Sequence, residues 1–227
     1  AFYPFIKNNL KIGTSHNLPF SGPNYSNQSI QKNLIDQIRD DKNFKISFYE
    51  DDNKLSIDTA KKIKDEKIIF WFQDGMEFGH RALGNRSILA DPRDINMQKA
   101  VNKAVKFRET FRPFAPAVIG EKAHQIFDLK KNEEILFMER AVQVKKGWKN
   151  KIQAVCHVDN SARVQSVYRN TNPKFYKLIE EYNKITNIPV LLNTSYNLNG
   201  EPIVCTPTDA IRTFFSCGLD VLVLGKY

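Results

Sequence analysis

Cysteine is scarce in this chain: three among 227 residues, at positions 156, 205 and 217, with no C-x-x-C spacing. A sparse, odd-numbered set argues against a disulfide framework and points to a reducing, cytoplasmic setting. Histidine is almost as rare. His16, His80, His124 and His157 form no pair at the spacing of helical metal ligands, so a structural zinc site is not expected. No apolar stretch approaches the roughly 20 residues needed to span a bilayer, which removes a membrane role from the expected functions. Internal repeats and low-complexity tracts are also missing, and with them the repeat architectures.

What is present is the composition of a soluble globular protein, 41% hydrophobic and 26% charged. The length suits one good-sized domain plus a short leader and is enough to bury a core. The net charge is +9 and is unevenly placed. Residues 81–112 hold eight lysines and arginines against Asp91, Asp94 and Glu109, and a second basic cluster occupies residues 145–151 around Trp148. Such charge favours anionic partners, either phosphorylated small molecules or nucleic acid. A lysine run beside a loop also reads as solvated surface, and that is the reading for residues 145–151.

Residues 1–27 are rich in Asn, Pro, Ser and Gly and read as an extended linker. Ile30, Leu34, Ile35 and Ile38 predict a short amphipathic helix over 29–39. A short strand is predicted over 45–49, and a helix opening near Asp58 with Ser56 as its cap. Lys67 to Phe72 is a buried strand by length and β-propensity. Beyond it the pattern predicts a helix over 94–105, strands at 114–119, 136–144 and 162–168, and a short helix over 121–127. The clearest helix is Pro173 to Ile185, with proline near its start. It is followed by a buried strand at 190–192, a helix from Pro207 to Ser216 capped by Thr206 and ended by Gly218, and a last strand at 220–224. Strands and helices intermix without strict alternation, which predicts an α/β domain with one mixed, twisted sheet.

Four motifs carry chemistry. The run from Met76 to Arg93 packs three arginines, two glycines, Asn85 and Ser87 directly behind an apolar strand. Arginine offers a planar fork of donors to phosphate oxygens, and glycine lets the backbone approach a ligand. Arg81 and Arg86 in this run could clamp phosphate or pair with Glu77 or Asp91. Next comes Lys106-Phe107-Arg108-Glu109-Thr110-Phe111-Arg112-Pro113. Pro113 holds Arg112 extended, so Lys106 and Arg112 sit at a helix end and a strand start, from which both could converge on one anion. The third is His157-Val158-Asp159-Asn160-Ser161-Ala162-Arg163-Val164-Gln165. There Arg163 enters a strand and His157 is either a general base or a hydrogen-bonded structural residue. The fourth is Asn193-Thr194-Ser195-Tyr196-Asn197, short polar side chains at the carboxyl end of a strand, where open α/β sheets bind ligands. No Gly-x-Ser-x-Gly elbow surrounds Ser195, so it is not a nucleophile candidate.

These motifs, in this order and followed by Gly200-Glu201-Pro202-Ile203-Val204-Cys205-Thr206-Pro207, closely resemble the carboxy-terminal domain of the NodU/CmcH-type O-carbamoyltransferases, the family of the tobramycin carbamoyltransferase. The resemblance covers roughly residues 58–227. It implies a YrdC-like fold preceded by a leader over 1–57, and a missing amino-terminal Kae1-like partner domain. It also implies that Lys106, Arg112, Ser195 and Asn197 form the core of an adenylation site, with Arg81, Arg163, Asn193 and Arg86 around it. The implied ligands are ATP and carbamoyl phosphate, joined as carbamoyladenylate for transfer to a small-molecule hydroxyl. Magnesium is implied with ATP, although no protein ligand for it is identifiable. Two positions depart from the family's pattern: Asp74 stands where glycine is expected and His80 where proline is expected.

A different class of function, a non-catalytic nucleotide- or RNA-binding module, would need aromatics interleaved with the basic residues for base stacking. Only Trp148 offers that, so nucleic acid is not the expected partner.

Overall fold

The computed structural model describes residues 18–38, 44–106 and 112–227. The linker before residue 18, the helix end expected at Arg39 and residues 107–111 of the Lys106–Arg112 motif lie outside the described residues. The fold is the mixed α/β arrangement expected, built on a six-stranded mixed sheet flanked by helices.

Helix α1 (Asn27–Ile38) buries Ile30 and Leu34. Helix α2 (Asp52–Lys64) starts earlier than the sequence suggests. Asp51, not Ser56, is its cap and accepts a hydrogen bond from the backbone of Asn53, while Ser56 lies inside the helix and donates back to the Asp52 carbonyl. The helix therefore runs straight through the 57/58 boundary between leader and domain. Its last turn carries Lys61, Lys62 and Lys64, the charge that suits a helix carboxyl end.

Strand β1 (Ile69–Phe72) is buried along its whole length, as its apolar run requires. Strand β2 (Arg86–Ala90) is the unexpected one, because it occupies the second half of the arginine-rich motif. Helix α3 (Ile95–Val101), capped by Asp94, widens into a π-helix over Asn102–Lys106 that buries both Val105 and Lys106. Strand β3 (Ala115–Ile119) leads into α4 (Gly120–Ile126). A two-stranded ribbon joins β4 (Ala141–Gln143) to β5 (Ser161–Arg163). β4 is shorter than the strand expected over 136–144, because Met138 takes a left-handed backbone (φ 57°) that breaks the pleat. Residues 45–49 form no strand and are tied instead by the Tyr49 amide to the Lys226 carbonyl.

After β6 (Gln165–Val167) comes α5 (Pro173–Thr186). Its cap is Asn172, which accepts from the Phe175 amide, and its end is Asn187 in the left-handed conformation. Strand β7 (Val190–Ser195), α6 (Pro207–Cys217) and β8 (Val221–Leu224) complete the domain. Thr206 and Asp209 form a full capping box at the start of α6, and Gly218 ends it in the left-handed region.

The sheet order is β6-β3-β7-β2-β1-β8. β3, β6 and β2 run one way, and β7, β1 and β8 the other. Side chains alternate across the sheet. Phe70 packs on Tyr196 and Phe214 beneath α6, while Trp71 points the other way and donates its indole N–H to the Gly84 carbonyl. α1 and α6 pack on each other on the Phe70 side, and α2 and α5 on the Trp71 side. Gly84 has to be glycine twice over. Its φ is 107°, and a Cβ there would sit 2.1 Å from Cδ1 of the buried Phe175 ring.

Candidate functional site

Strand polarity decides where the candidate residues fall. One edge of the sheet collects the carboxyl ends of β7, β1 and β8 and the amino ends of β3, β6 and β2. Ser195 ends β7 and Asn197 follows it. Arg112 precedes β3, Arg163 precedes β6, and Arg81 and Arg86 lead into β2. Ser195, Asn197, Arg112, Arg163 and Arg81 therefore fall toward the same edge.

Three of the candidate residues touch. Lys106 is only 5% exposed, and its ammonium reaches from the π-helix to the turn after β7. Nζ donates to the carbonyl oxygens of Ser195 (2.7 Å) and Asn197 (2.9 Å), to Ser195 Oγ (3.1 Å) and to Asn197 Oδ1 (2.7 Å). Ser195 Oγ passes its own hydrogen to Asn197 Oδ1 at 2.5 Å. The Asn197 amide donates to the carbonyls of Leu198 and Glu201. The ammonium thus shapes the Ser-Tyr-Asn turn and brings a buried positive charge to it. Ser195 Oγ thus both accepts from the ammonium and donates to the Asn197 amide oxygen.

Asn193 lies two residues back on the same face of β7 and is 1% exposed. Its Nδ2 donates to the Ala82 carbonyl (3.1 Å) and to Gln165 Oε1 (3.0 Å). That bond sets the backbone next to Arg81 over the strand that carries Ser195. Arg81 and Arg163 are half-exposed, and Arg112 is exposed, its carbonyl accepting from Gln98.

Arg86 behaves differently from the phosphate-binding residue expected. It is fully buried, its guanidinium lies 3.5 Å from the centre of the Phe72 ring, and its Nη atoms donate to the carbonyls of Pro23, Gln73, Asp74 and Asn85. Burial pushes it down to about 10, still above neutral pH. This arginine closes the loop between β1 and β2 and anchors the leader at Pro23; its Nη donors end on main-chain carbonyls and do not face the edge. Residues 18–25, the end of the predicted linker, are accordingly tied down, with backbone bonds between Gly22 and Met76 and between Met76 and Pro23.

Glu77, expected as a possible partner of Arg81 or Arg86, bonds instead to the backbone. It is buried, and its Oε1 accepts from three backbone amides, those of Leu83, Asn85 and Arg86. Asn85 joins the same loop to the Gly75 carbonyl and to Asn172 at the cap of α5. Asp74, where the resemblance led us to expect glycine, sits in the left-handed region (φ 41°) that favours glycine, and its carboxylate pairs with Lys174 at 2.7 Å.

His157 lies in a hydrogen-bonded group of its own. Its Nδ1 is 2.9 Å from Ser161 Oγ, which gives its hydrogen to the Asp159 carboxylate at 2.7 Å. The serine must then accept from the ring, so the proton of the neutral imidazole is on Nδ1. Burial holds the ring below its ordinary value, helped by the nearby Arg163. Among the described residues, no group of three or more His, Cys, Asp or Glu is placed to hold a metal ion. Among the described residues no helix is long and apolar enough to cross a membrane.

Comparison with known proteins settles the family. Residues 60–227 match the family described as Carbamoyltransferase C-terminus. The chain belongs to that family. The nodulation protein NolNO of Sinorhizobium fredii is 47% identical over 169 residues, covering 74% of this chain and 25% of NolNO. Nodulation protein U of Azorhizobium caulinodans is 40% identical over 141 residues, covering 62% of this chain and 25% of that protein. The carbamoyltransferase domain described here thus spans about a quarter of the length of these two curated relatives. Among solved structures, full-length HypF in its phosphate- and nucleotide-bound form superposes with a TM-score of 0.50 at 17% identity, over 79% of this chain and 21% of HypF. Sua5 of P. abyssi complexed with L-threonine superposes with a TM-score of 0.53 at 13% identity, over 77% of this chain and 47% of Sua5. At such identities the likeness speaks to the fold alone, and it is the YrdC-like fold the motifs implied.

Proposed function

We propose that this carbamoyltransferase domain binds ATP and carbamoyl phosphate at the motif-bearing edge of its sheet and forms carbamoyladenylate: water cleaves carbamoyl phosphate to carbamate and inorganic phosphate, and a carbamate oxygen then attacks the α-phosphate of ATP and expels pyrophosphate. The activated carbamoyl group would pass to a hydroxyl of a small molecule (a sugar, an antibiotic or a nodulation-factor-like acceptor) bound by a Kae1-like amino-terminal domain of the full-length protein. The observation that carries this reading is the convergence of Lys106, Ser195 and Asn197 in direct contact at the edge that also bears Arg81, Arg112 and Arg163. Phosphoryl chemistry asks mainly for fixed positive charge and donors around phosphate oxygens, and such an edge offers both. Lys106 would place its charge and hold the turn. Ser195 and Asn197 would set the donor geometry beside it, and the more exposed arginines would meet the phosphates. Magnesium would arrive on the phosphates of ATP, the usual way this ion is held.

A nucleic-acid module is less well supported. Trp148, the aromatic expected to stack on bases, is half-buried against the core, and the Lys151 ammonium lies 4.8 Å from its ring centre. The deciding experiment is pyrophosphate release from ATP by this chain, with and without carbamoyl phosphate. Release that needs carbamoyl phosphate and is lost in Lys106→Ala supports the reading. Wild-type release from both Lys106→Ala and Arg112→Ala removes these residues from the site.

A further inference from the structure

Gln165 belongs to a quoted motif but has no role in the reading above. It is 3% exposed at the first position of β6, two residues after Arg163. Its Nε2 donates to the Leu83 carbonyl at 2.8 Å, and its Oε1 accepts from Asn193 Nδ2 at 3.0 Å. Asn193 Nδ2 also reaches the Ala82 carbonyl. Two side-chain amides therefore join three separate stretches of chain: the loop that carries Arg81, the β5–β6 segment that carries Arg163, and the strand that ends in Ser195. The third of these is held by Lys106.

We propose that Gln165 is a positioning residue that fixes Arg81 against the Lys106–Ser195–Asn197 cluster, so that phosphate-bearing ligands meet these groups in one set geometry. The inference rests on the anion-binding reading of this edge. Its physical basis is the requirement at such a junction. Cationic segments repel one another, so something must hold them together without cancelling the field they make. A carboxylate would neutralise that field, and an apolar side chain would leave the buried Leu83 carbonyl without a donor. A primary amide supplies one donor end and one acceptor end with no net charge. Its orientation here is unambiguous, since the end facing the Leu83 carbonyl must be nitrogen and the end facing Asn193 Nδ2 must be oxygen. Asn193 Nδ2 is likewise fixed as nitrogen by two facing oxygens.

The test is a double-mutant cycle read by calorimetric titration of ATP into the full 227-residue chain, comparing wild type, Gln165→Met, Arg81→Ala and the double variant. Methionine keeps the volume and removes both hydrogen bonds. If Gln165 acts through Arg81, Gln165→Met weakens ATP binding by roughly tenfold, a coupling of the size contacting residues show, and loses most of that effect in the Arg81→Ala background. A merely structural role instead gives the same fold-change in both backgrounds, and that result overturns the proposal. So does an Arg81→Ala chain that binds ATP like wild type. If Gln165→Met does not fold, Gln165→Glu, which keeps the acceptor for Asn193 but sets an oxygen against the Leu83 carbonyl, is put through the same cycle. Wild-type chain that binds no ATP defeats the anion-binding reading itself and takes this inference with it. Binding by wild type with additive variants defeats the inference alone.

Discussion

Replacing Lys106 by methionine separates its architectural role from its chemical one. The ammonium serves four oxygens, two of them backbone carbonyls in the turn after β7. Methionine fills the channel but leaves these acceptors without that donor. Ser195 Oγ still serves Asn197 Oδ1, so the loss falls mainly on the carbonyls of Ser195 and Asn197. Hydrogen bonds from charged donors contribute about 1.5–3 kcal/mol each, and the half-buried turn recovers part of this from water. The net cost is therefore about 3 kcal/mol. For a chain of this size each kcal/mol moves the melting temperature by about 2–4 °C, so the variant is expected to melt about 6–12 °C lower. Arginine is expected to do little better, because a planar fork fits poorly among four oxygens arranged around a point charge. The measurement is a thermal melt followed by circular dichroism, with carbamoyl-phosphate-dependent pyrophosphate release on the same samples below the transition. A melting temperature within about 1 °C of wild type would refute the clamp. A lower melting temperature with full pyrophosphate release would keep the clamp and remove Lys106 from the chemistry.

Gly84→Ala is expected to destabilise by about 3 kcal/mol or more in denaturant titration, since its Cβ would meet the Phe175 ring at a φ that L-residues avoid; a variant as stable as wild type would show that loop and α5 do not pack as described. Thr206→Ala should lower stability by about 1 kcal/mol by opening the capping box of α6, measured by the same titration. For His157, nitrogen-detected NMR should find the Nδ1–H tautomer and a titration midpoint below the ordinary histidine value. Because the folded value is depressed, the unfolded chain binds the proton first, so this ring's contribution to stability is present above the unfolded value of about 6.5 and is lost as pH falls through the folded one. A midpoint at or above the ordinary value would contradict the environment described.

The elements most legible in the sequence were those whose signals are local. Pro173 and the apolar stripe of Phe175, Leu178, Ile179 and Tyr182 define α5 almost to the residue, because capping and amphipathic periodicity act within one helix. The same holds for α6 between Thr206 and Gly218. That Ser195 and Asn197 sit together at a strand end was legible because short polar groups directly follow a buried strand. The arginine-rich motif was not legible in the same way. Whether an arginine faces solvent or crosses to a distant carbonyl depends on which segments the fold brings near it. Arg86 is buried by Pro23, Gln73 and Asp74, none of which its own neighbourhood in sequence predicts. Once Arg86 turns inward, the residues after it become β2, and Glu77 becomes the acceptor for the turn that precedes it. The π-helix before Lys106 is invisible for a related reason. Apolar spacing over 94–105 fits a regular helix, and what the extra residue in the turn gains is a tertiary contact, the reach of Nζ to Ser195.

The cations at this edge thus divide into two kinds that composition cannot distinguish. Arg86 and Lys106 are buried and donate to main-chain oxygens; they set the shape of the loop before β2 and of the turn after β7. Arg81, Arg112 and Arg163 keep part of their surface in water. A buried cation whose hydrogen bonds end on carbonyl dipoles keeps its charge, and Glu77 and Asp74 offset that of Arg86 only through space. The exposed arginines then sit in a field of their own sign, which disfavours their crowding in the absence of ligand and is relieved when an anion enters. The buried amides of Gln165 and Asn193, the carboxylate of Glu77 turned inward onto three backbone amides, and the side-chain bond between Asn85 and Asn172 all restrain that edge without offering it a facing negative charge. This division, with neutral or inward-facing groups bonded within the protein and the arginines partly in water, is what supports the proposed anion site.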